Sequence, residues 1–455
     1  MYLKNGSFFK KVVRAGNASF QNGVSVENDC MKKISYAAIS SLFLSTILLL
    51  SGCVKDTFQR TYSYTYYKPV YKTTAEVRSN IKSNAPKNIQ NPGKIYIRGQ
   101  FIFLNEVDQG IHVIDNADPS QPKNIAFIDI PGNMDLAVKG NTLYADLYTD
   151  LVAIDITDPH HVALKKVIEG VFPDRYYGIV FTADTSEVIA SWERRDTTIT
   201  ENGRIGLEKN GGIIAYAPGT AQNLFSSSSS SAAASSPYGM GGSMARFALV
   251  NNSLYTVGNS DLNVFNISNP FDPVYITNKN IGWSIETVYP FQNNLFIGST
   301  TGIFIYDITN PSDPKQLAQF SHFTSCDPVI ADGQNAYATL RTGNRCNGSV
   351  NELDVIDITN LSNPVLKKKY DLDNPFGLSK DGDLLFVCDG SNGLKIYNAS
   401  NPLFLLHIKT FDGIDTYDVI ANNGIALVVA KNGLYQYNYS SVNNIYLLSK
   451  INIEN

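Results

Sequence analysis

The segment DLVAIDITDP, residues 150–159, decides the fold. Its first half is apolar on both faces of an extended chain, which is typical of a strand that is buried on two sides. Asp155 follows, and its carboxylate can accept a hydrogen bond from the backbone two residues later in an Asx turn. Asp158 and Pro159 then stop the pairing and begin a turn. The ten residues therefore predict a buried strand with a defined end.

This pattern recurs along the chain, and most neighbouring copies are 40 or 41 residues apart. The other copies are GIHVIDNADP (110–119), DLNVFNISNP (261–270), GIFIYDITNP (302–311), ELDVIDITNL (352–361), GLKIYNASNP (393–402) and GLYQYNYSSV (433–442), with a poor eighth in GIIAYAPGT (212–220). Two strand-like runs joined by a Gly or Asn turn precede each copy, and an outer strand follows. Four strands in about 40 residues form the blade unit of a β-propeller.

The repeated motif resembles the LVIVD repeat, which belongs to a β-propeller lipoprotein family of the Bacteroidetes type. The resemblance covers roughly residues 94–453 and implies an all-β fold, a propeller of seven or eight four-stranded blades. We favour eight, with a degraded third unit at residues 174–243. If that unit forms no blade, the ring has seven. The repeat residues are structural, so the resemblance supplies no functional site.

Residues 31–52 have the pattern of a lipoprotein signal peptide. The basic pair Lys32-Lys33 precedes an apolar run that is too short and too rich in Ser for a good transmembrane span. The run ends in LSGC at Cys53, which resembles a bacterial lipobox. This implies lipidation of Cys53 and a lipid anchor in the bacterial cell envelope, in the outer membrane and exposed at the cell surface. The alternative is an ordinary signal peptide that ends near a Cys.

The domain organisation follows from these two patterns. Residues 1–30 precede the signal and are interpreted as an artefactual extension before a start at Met31. Residues 53–93 are the anchor and a Tyr-rich tether, in which TYSYTYYKPVYKTT is either flexible or an extended segment that lies on the propeller. Residues 94–455 are the propeller, with an insertion at about 191–243.

Composition and motifs exclude several classes of function. The net charge of -4 provides no basic surface for nucleic acid. The sequence contains no HExxH or CxxC spacing, no P-loop and no GxSxG element. We therefore predict no catalytic residue, no metal site and no cofactor, and we expect a monomer.

Three cysteines lie beyond the signal, and exported proteins meet oxidising conditions. Cys326 and Cys346 flank a predicted hairpin, which brings them together, so we predict a disulfide between them. Cys388 lies in the apolar run LLFVCDG and is predicted to be a buried free thiol.

One charged patch stands out at the start of the insertion. Trp192 is followed closely by Arg194 and Arg195, and an exposed Trp beside Arg is typical of a contact surface. The alternative is an edge hairpin whose charges protect it from aggregation.

The leading hypothesis for function is a membrane-anchored surface lipoprotein that acts as a non-catalytic binding or scaffolding propeller. Its partner would be a protein or a glycan. The alternative is a carbohydrate-active or other hydrolase or lyase, with carboxylates or a His-Tyr pair converging at the central channel. A channel closed by aliphatic side chains or by backbone would count against that enzyme.

Overall fold

The computed structural model describes residues 57–173, 187–204, 240–321, 328–342 and 350–453. These residues belong to two compact units. The smaller contains residues 57–64 and 198–204 of the described chain, and the larger contains the rest. No described helix has the length and apolar character needed to span a bilayer.

Seven antiparallel four-stranded blades, numbered 1 to 7 in chain order, make up most of the larger unit. Their strands are Pro92–Arg98, Phe101–Glu106, Gly110–Asp115 and Lys123–Asp129; Leu136–Lys139, Thr142–Leu147, Asp150–Asp155 and Ala163–Ile168; Phe247–Val250, Ser253–Val257, Asp261–Asn266 and Val274–Asn280; Ile285–Phe291, Asn294–Ser299, Gly302–Asp307 and Lys315–Ser321; Val329–Asp332, Asn335–Leu340, Glu352–Asp357 and Val365–Asp371; Leu378–Asp381, Leu384–Cys388, Leu394–Asn398 and Leu406–Phe411; and Thr416–Asn422, Ile425–Ala430, Gly433–Asn438 and Tyr446–Asn452.

Burial orders the strands within each blade. The first strand of every blade is mostly buried, whereas the fourth strand of blades 2 to 7 contains no buried residue. The first strands therefore lie innermost, around the axis of the ring, and we call them the inner strands. We call the face at which they begin the upper face and the face at which they end the lower face.

The Asx turn that the motif predicts is present in all seven blades. Each repeat Asp or Asn side chain accepts a hydrogen bond from the backbone N–H two residues later. These acceptors are Asp115, Asp155, Asn266, Asp307, Asp357, Asn398 and Asn438. The backbone N–H immediately after each of them donates to the turn between the first two strands of the same blade. The repeat residue therefore ties the third strand to that hairpin, which confirms its structural role.

The blades close into a ring of seven. Leu104 of blade 1 and Leu427 of blade 7 belong to one buried cluster, so the last blade packs on the first. Blade 2 packs directly on blade 3, where Lys139 Nζ donates to the carbonyl of Asn251 at 3.0 Å. No other described blade lies between them. The described residues therefore form seven blades, the lower of the two numbers that the motif predicts.

Side chains of one blade also bind the Pro turn of the next. Tyr370 of blade 5 donates its hydroxyl to the carbonyl of Pro402 in blade 6 at 3.0 Å. Ser449 of blade 7 does the same to Pro119 of blade 1 at 2.6 Å, which ties the end of the ring to its beginning. At these two interfaces, the turn that follows the third strand therefore serves as a joint between blades.

The Tyr-rich segment forms part of a long strand, Thr57–Thr73, which pairs with the strand Glu187–Arg204 of the insertion. It is extended, as one alternative predicted, but its partner is the insertion and not a blade. The helix Thr74–Ser79 follows, and its capping box joins Thr73 and Glu76.

Two short strands extend blade 1 beyond its four. Ser83–Asn84 pairs with the outer strand, and Met240–Gly241 pairs with the inner strand. Residues assigned to the tether and to the insertion are therefore part of the propeller.

Candidate functional site

Residues 240–246 lie along the axis of the ring. Met240 pairs with Ile97 on the inner strand of blade 1. The Ser243 hydroxyl accepts the backbone N–H of Leu378 in blade 6 at 2.7 Å, and the carbonyl of Ala245 accepts that of Val288 in blade 4 at 2.8 Å. A segment of seven residues that bonds to inner strands of three separated blades must lie inside the ring.

Charged groups gather around this segment. The backbone N–H of Arg246 donates to Asp135 Oδ2 at 2.5 Å, and its guanidinium donates to the carbonyl of Gly258 at 2.7 Å. Lys94 Nζ donates to the carbonyl of Met244 at 3.0 Å. Burial lowers the pKa of Lys94 to about 7, and the nearby Asp135 opposes that shift. The charged groups around residues 240–246 therefore form hydrogen bonds with other groups of the protein.

This arrangement bears on the channel site that the enzyme hypothesis required. Three acids, Asp135, Glu286 and Asp418, do act electrostatically on Lys94 from different blades. Residues 240–246 lie among them, so these acids serve a buried structural cluster. The sequence did not predict this cluster, because its members come from distant repeats and residues 240–243 were assigned to the insertion.

A cleft of about 380 Å³ lies on blade 1, beside the chain that leads into it. Glu106 and His112 form part of its lining, and both side chains are buried. His112 Nε2 lies 3.0 Å from Glu106 Oε2. Lys87 also lines the cleft, with its ammonium 3.9 Å from the centre of the Phe127 ring.

Both members of the His112–Glu106 pair are committed to internal bonds. The Glu106 carboxylate also accepts the backbone N–H groups of Gln90 and Asn91 at 3.2 and 2.6 Å. The Asn124 side-chain amide nitrogen lies 3.3 Å from His112 Nδ1, so both ring nitrogens have a partner within the protein. The pair therefore fixes the floor of the cleft and the backbone in front of blade 1.

The position of His112 within its repeat indicates that this residue needs a hydrogen-bond partner. His112 is the third residue of its repeat, and that position is buried in six of the seven copies. A polar ring at such a position needs a hydrogen-bond partner, since burying an unpaired polar group costs free energy.

The predicted contact surface lies on the strand Glu187–Arg204. Arg194 pairs with Asp196 at 3.4 Å, and Arg195 pairs with Glu193 at 2.9 Å. Both arginines are exposed. Local pairing of each charge agrees with the alternative of a protected edge. The side chain of Trp192 lies outside the described residues, so the contact surface stays a prediction.

The three cysteines with predicted modifications also lie outside the described residues. Cys53 precedes them, and Cys326 and Cys346 fall in the gaps at residues 322–327 and 343–349. Lipidation and the disulfide therefore stay predictions. Cys388 is a free, fully buried thiol as predicted, and burial raises its pKa well above the usual range.

A surface that the sequence analysis did not identify runs along the outer edge of blades 5 to 7. Large apolar side chains are exposed there, and we call them together the apolar rim. Its members are Val365, Leu403, Phe404, Leu406, Val442, Tyr446 and Leu447. Lys409 of blade 6 donates to the carbonyl of Ile445 in blade 7 at 2.5 Å, which shows how closely the two edges approach.

Lysines outnumber acids along the apolar rim. The three segments that carry it, residues 365–371, 403–412 and 442–451, contain two acids, Asp371 and Asp412. They contain five lysines, which are Lys367, Lys368, Lys369, Lys409 and Lys450. Two of these lysines pair with acids on the adjacent third strand of blade 5. The rim is therefore apolar with a basic fringe.

Within the described ranges, no group of three or more His, Cys, Asp or Glu side chains is placed to hold a metal ion.

The chain was compared with curated proteins, with solved structures and with protein families. No curated protein matches the chain in sequence. Similar solved structures include the computationally designed Ika8 protein (8% identity, 82% of this chain and 91% of that one, TM-score 0.48) and BamB from Moraxella catarrhalis (8%, 79% and 83%, 0.44). A further one is PorZ, a bacterial surface component of the type-IX secretion system of Porphyromonas gingivalis (12%, 81% and 39%, 0.46).

The LVIVD repeat family matches residues 132–169, which contain blade 2, and residues 348–372, in blade 5. These matches fall on two of the repeats that the motif defines, and the strands around them form propeller blades. The chain therefore contains LVIVD repeats that fold as blades of a β-propeller, as its repeated motif predicted.

Proposed function

We propose that the protein is a non-catalytic binding or scaffolding propeller, held at the bacterial outer membrane by a lipidated Cys53. The observation that carries this proposal is the apolar rim. Phe404 is 75% exposed and Leu406 is 67% exposed, on blades that otherwise bury their apolar residues. Contiguous exposed apolar surface on a soluble domain is typical of a site of association.

The chemistry of the rim favours a protein partner over a glycan. Its members are mainly branched aliphatic side chains, which pack on a complementary protein surface. Phe404 and Tyr446 add the aromatic anchors that dominate many protein interfaces. The basic fringe suits a partner whose matching surface is acidic, because complementary charge steers association and selects the partner.

The central axis supports the absence of catalysis. A hydrolase or lyase with a channel site needs carboxylates that reach a substrate, and residues 240–246 lie where that substrate would bind. Glu106 and His112 form an acid–base pair in the cleft on blade 1. They hydrogen-bond to each other, and Glu106 also accepts the backbone N–H of Asn91.

Co-purification from membranes tests the proposal. The tagged full-length protein is expressed in its native cells, and the Phe404→Ser/Leu406→Ser variant is compared with it. The matched control is Val274→Ser/Tyr275→Ser, which removes two exposed apolar side chains of blade 3. We expect the rim variant to lose a specific partner that the wild type and the control retain. Equal recovery of that partner by all three proteins would contradict the proposal.

Membrane attachment is tested separately. Cys53→Ala should release the protein from the membrane fraction and remove the mass added by the lipid. A variant that stays in the membrane with unchanged mass would show that Cys53 is not the anchor.

A further inference from the structure

A second cleft, of about 260 Å³, lies between blades 1 and 2 at the lower face. We call it the interblade cleft. Gly99 and Gln100 form the hairpin turn of blade 1 on one side, and Gly140 and Asn141 form the equivalent turn of blade 2 on the other. The cleft is separate from the apolar rim, which lies on blades 5 to 7, so it does not depend on the function proposed above.

Arg98, the last residue of the inner strand of blade 1, lines this cleft. The other arginines whose side chains the structure describes have partners, which are Asp150 for Arg78, Asp196 for Arg194, Glu193 for Arg195, Gly258 for Arg246 and the Phe376 ring for Arg341. Arg98 forms no ion pair, hydrogen bond or ring contact with the described residues, and its Nε is shielded from solvent without an acceptor. A guanidinium is charged at every physiological pH, so the Arg98 side chain is available as a counter-ion for an anion.

Asp155, which precedes two residues of the cleft lining, has partners of its own. The Asp155 carboxylate accepts the backbone N–H of Thr157 at 2.9 Å and its hydroxyl at 2.6 Å. Its other oxygen lies 3.1 Å from Lys165 Nζ. The negative charge of this carboxylate is therefore already compensated.

We propose that the interblade cleft binds the carboxylate of a small ligand that also carries an apolar group, with Arg98 as the counter-ion. The two Nη groups at the end of a guanidinium present two parallel N–H groups, which match the two oxygens of a carboxylate. Phe101 and Ile156 line the cleft and supply contact for the apolar group. Gln100 and Asn141 are exposed at its lip, where their side-chain amides can donate to the same anion.

The volume limits the size of the ligand. At about 260 Å³, the cleft is smaller than the roughly 300–1,000 Å³ of pockets that enclose drug-sized molecules. It fits a short-chain carboxylic acid or the last residue of a polypeptide with its free carboxylate. The two sources share the chemistry of a carboxylate next to an apolar group.

Calorimetric titration of the purified full chain tests the proposal with defined probes. Hexanoate and hexanamide have the same apolar chain and differ in the charge of the head group. We expect hexanoate to bind the wild type. Hexanamide should bind at least about tenfold more weakly, because it cannot form the charge-assisted pair with Arg98. Equal binding of the two probes would overturn the proposal, and so would the absence of hexanoate binding at millimolar concentration.

Variants test the role of Arg98 itself. Arg98→Gln should lose hexanoate binding by about tenfold or more, since it removes the counter-ion. Arg98→Lys should retain part of it, because the charge stays but the paired donors do not. Arg195→Gln, an exposed arginine with its own partner, is the control and should bind as the wild type does. Retention of full affinity by Arg98→Gln would refute the site; if that variant does not fold, the comparison of probes on the wild type decides.

The two sources of carboxylate are separated with short peptides that end in Leu. A peptide with a free C-terminus that binds more tightly than hexanoate, while its C-terminal amide does not bind, identifies a polypeptide end. Hexanoate that binds more tightly than either peptide identifies a small acid. Equal binding of the acid and amide peptides would contradict a carboxylate site.

Discussion

The smallest feature that fixes the fold is the Asp or Asn at the end of each third strand. It could be predicted from the sequence, because the donor of its hydrogen bond lies only two residues away. In blade 5 the Thr359 hydroxyl and backbone, helped by Lys367, lower the pKa of Asp357 to about 2. The Lys94 cluster could not be predicted in this way, because its partners lie in other blades.

Replacing Asp357 with Asn keeps an acceptor for the turn and removes the charge. The folded-state pKa of Asp357 is depressed below 3.8, so its charge stabilises the fold above that pH. This stabilisation is lost as the pH falls from about 4 towards 2. The free-energy difference between wild type and Asp357→Asn, from urea unfolding, should therefore favour the wild type at pH 6 and shrink at acidic pH. A difference that does not change with pH would contradict the assignment.

Lys94 has the opposite dependence on pH. Its folded pKa is about 7 and its unfolded value is 10.5, so the unfolded chain binds more protons between these limits. The stability of the wild type should therefore rise relative to that of Lys94→Met as the pH increases from about 7 to 10. Urea unfolding of both proteins across this range measures the difference. Parallel curves would show that Lys94 is not held uncharged in the ring.

At the scale of strands and turns, the sequence predicted the regular parts of each blade. Hairpin turns with Gly or Asn, buried third strands and exposed outer strands all follow from local pattern. Ser83–Asn84 and Met240–Gly241 did not, because a strand of two residues has no periodicity and its partner lies far away in sequence.

Gly302 begins the third strand of blade 4 with a φ of +145°, and a Cβ there would lie 2.3 Å from the carbonyl oxygen of Phe320. Gly302→Ala should lower the free energy of unfolding by about 1–3 kcal/mol or more, because backbone strain and a clash with a strand combine. Gly333→Ala is the control, since Gly333 has a φ of +59° but no atom within 4 Å of the added methyl. Chemical unfolding should show the larger loss for Gly302→Ala, and equal losses would exclude the clash.

The joint between blades 5 and 6 depends on one hydroxyl. Tyr370 donates to the carbonyl of Pro402 and accepts the backbone N–H of Leu405 at 3.1 Å. Tyr370→Phe should lower the free energy of unfolding by about 1–2 kcal/mol, the cost of two lost hydrogen bonds in a partly buried place. Tyr275→Phe, on an exposed outer strand, should cost less when both are measured by chemical unfolding. If Tyr370→Phe is as stable as the wild type, the Tyr370 hydroxyl does not stabilise the contact between blades 5 and 6.

For the whole molecule, repeats predict the architecture but not the number of blades in the ring. The described residues form seven blades, and GIIAYAPGT, which resembles a repeat by pattern, lies outside the described residues. Pattern describes a strand, whereas membership in the ring depends on which faces pack together. The apolar rim escaped prediction for a related reason, since its members come from three repeats that only the closed ring brings side by side.

Binding through the apolar rim is the central claim, and photo-crosslinking in intact cells tests it most directly. A photoreactive phenylalanine analogue replaces Phe404, and a second protein carries it at Tyr275 on blade 3. The account predicts a discrete crosslinked partner from position 404 and none from position 275. Discrete crosslinks from position 275 alone, or none from position 404, would contradict it.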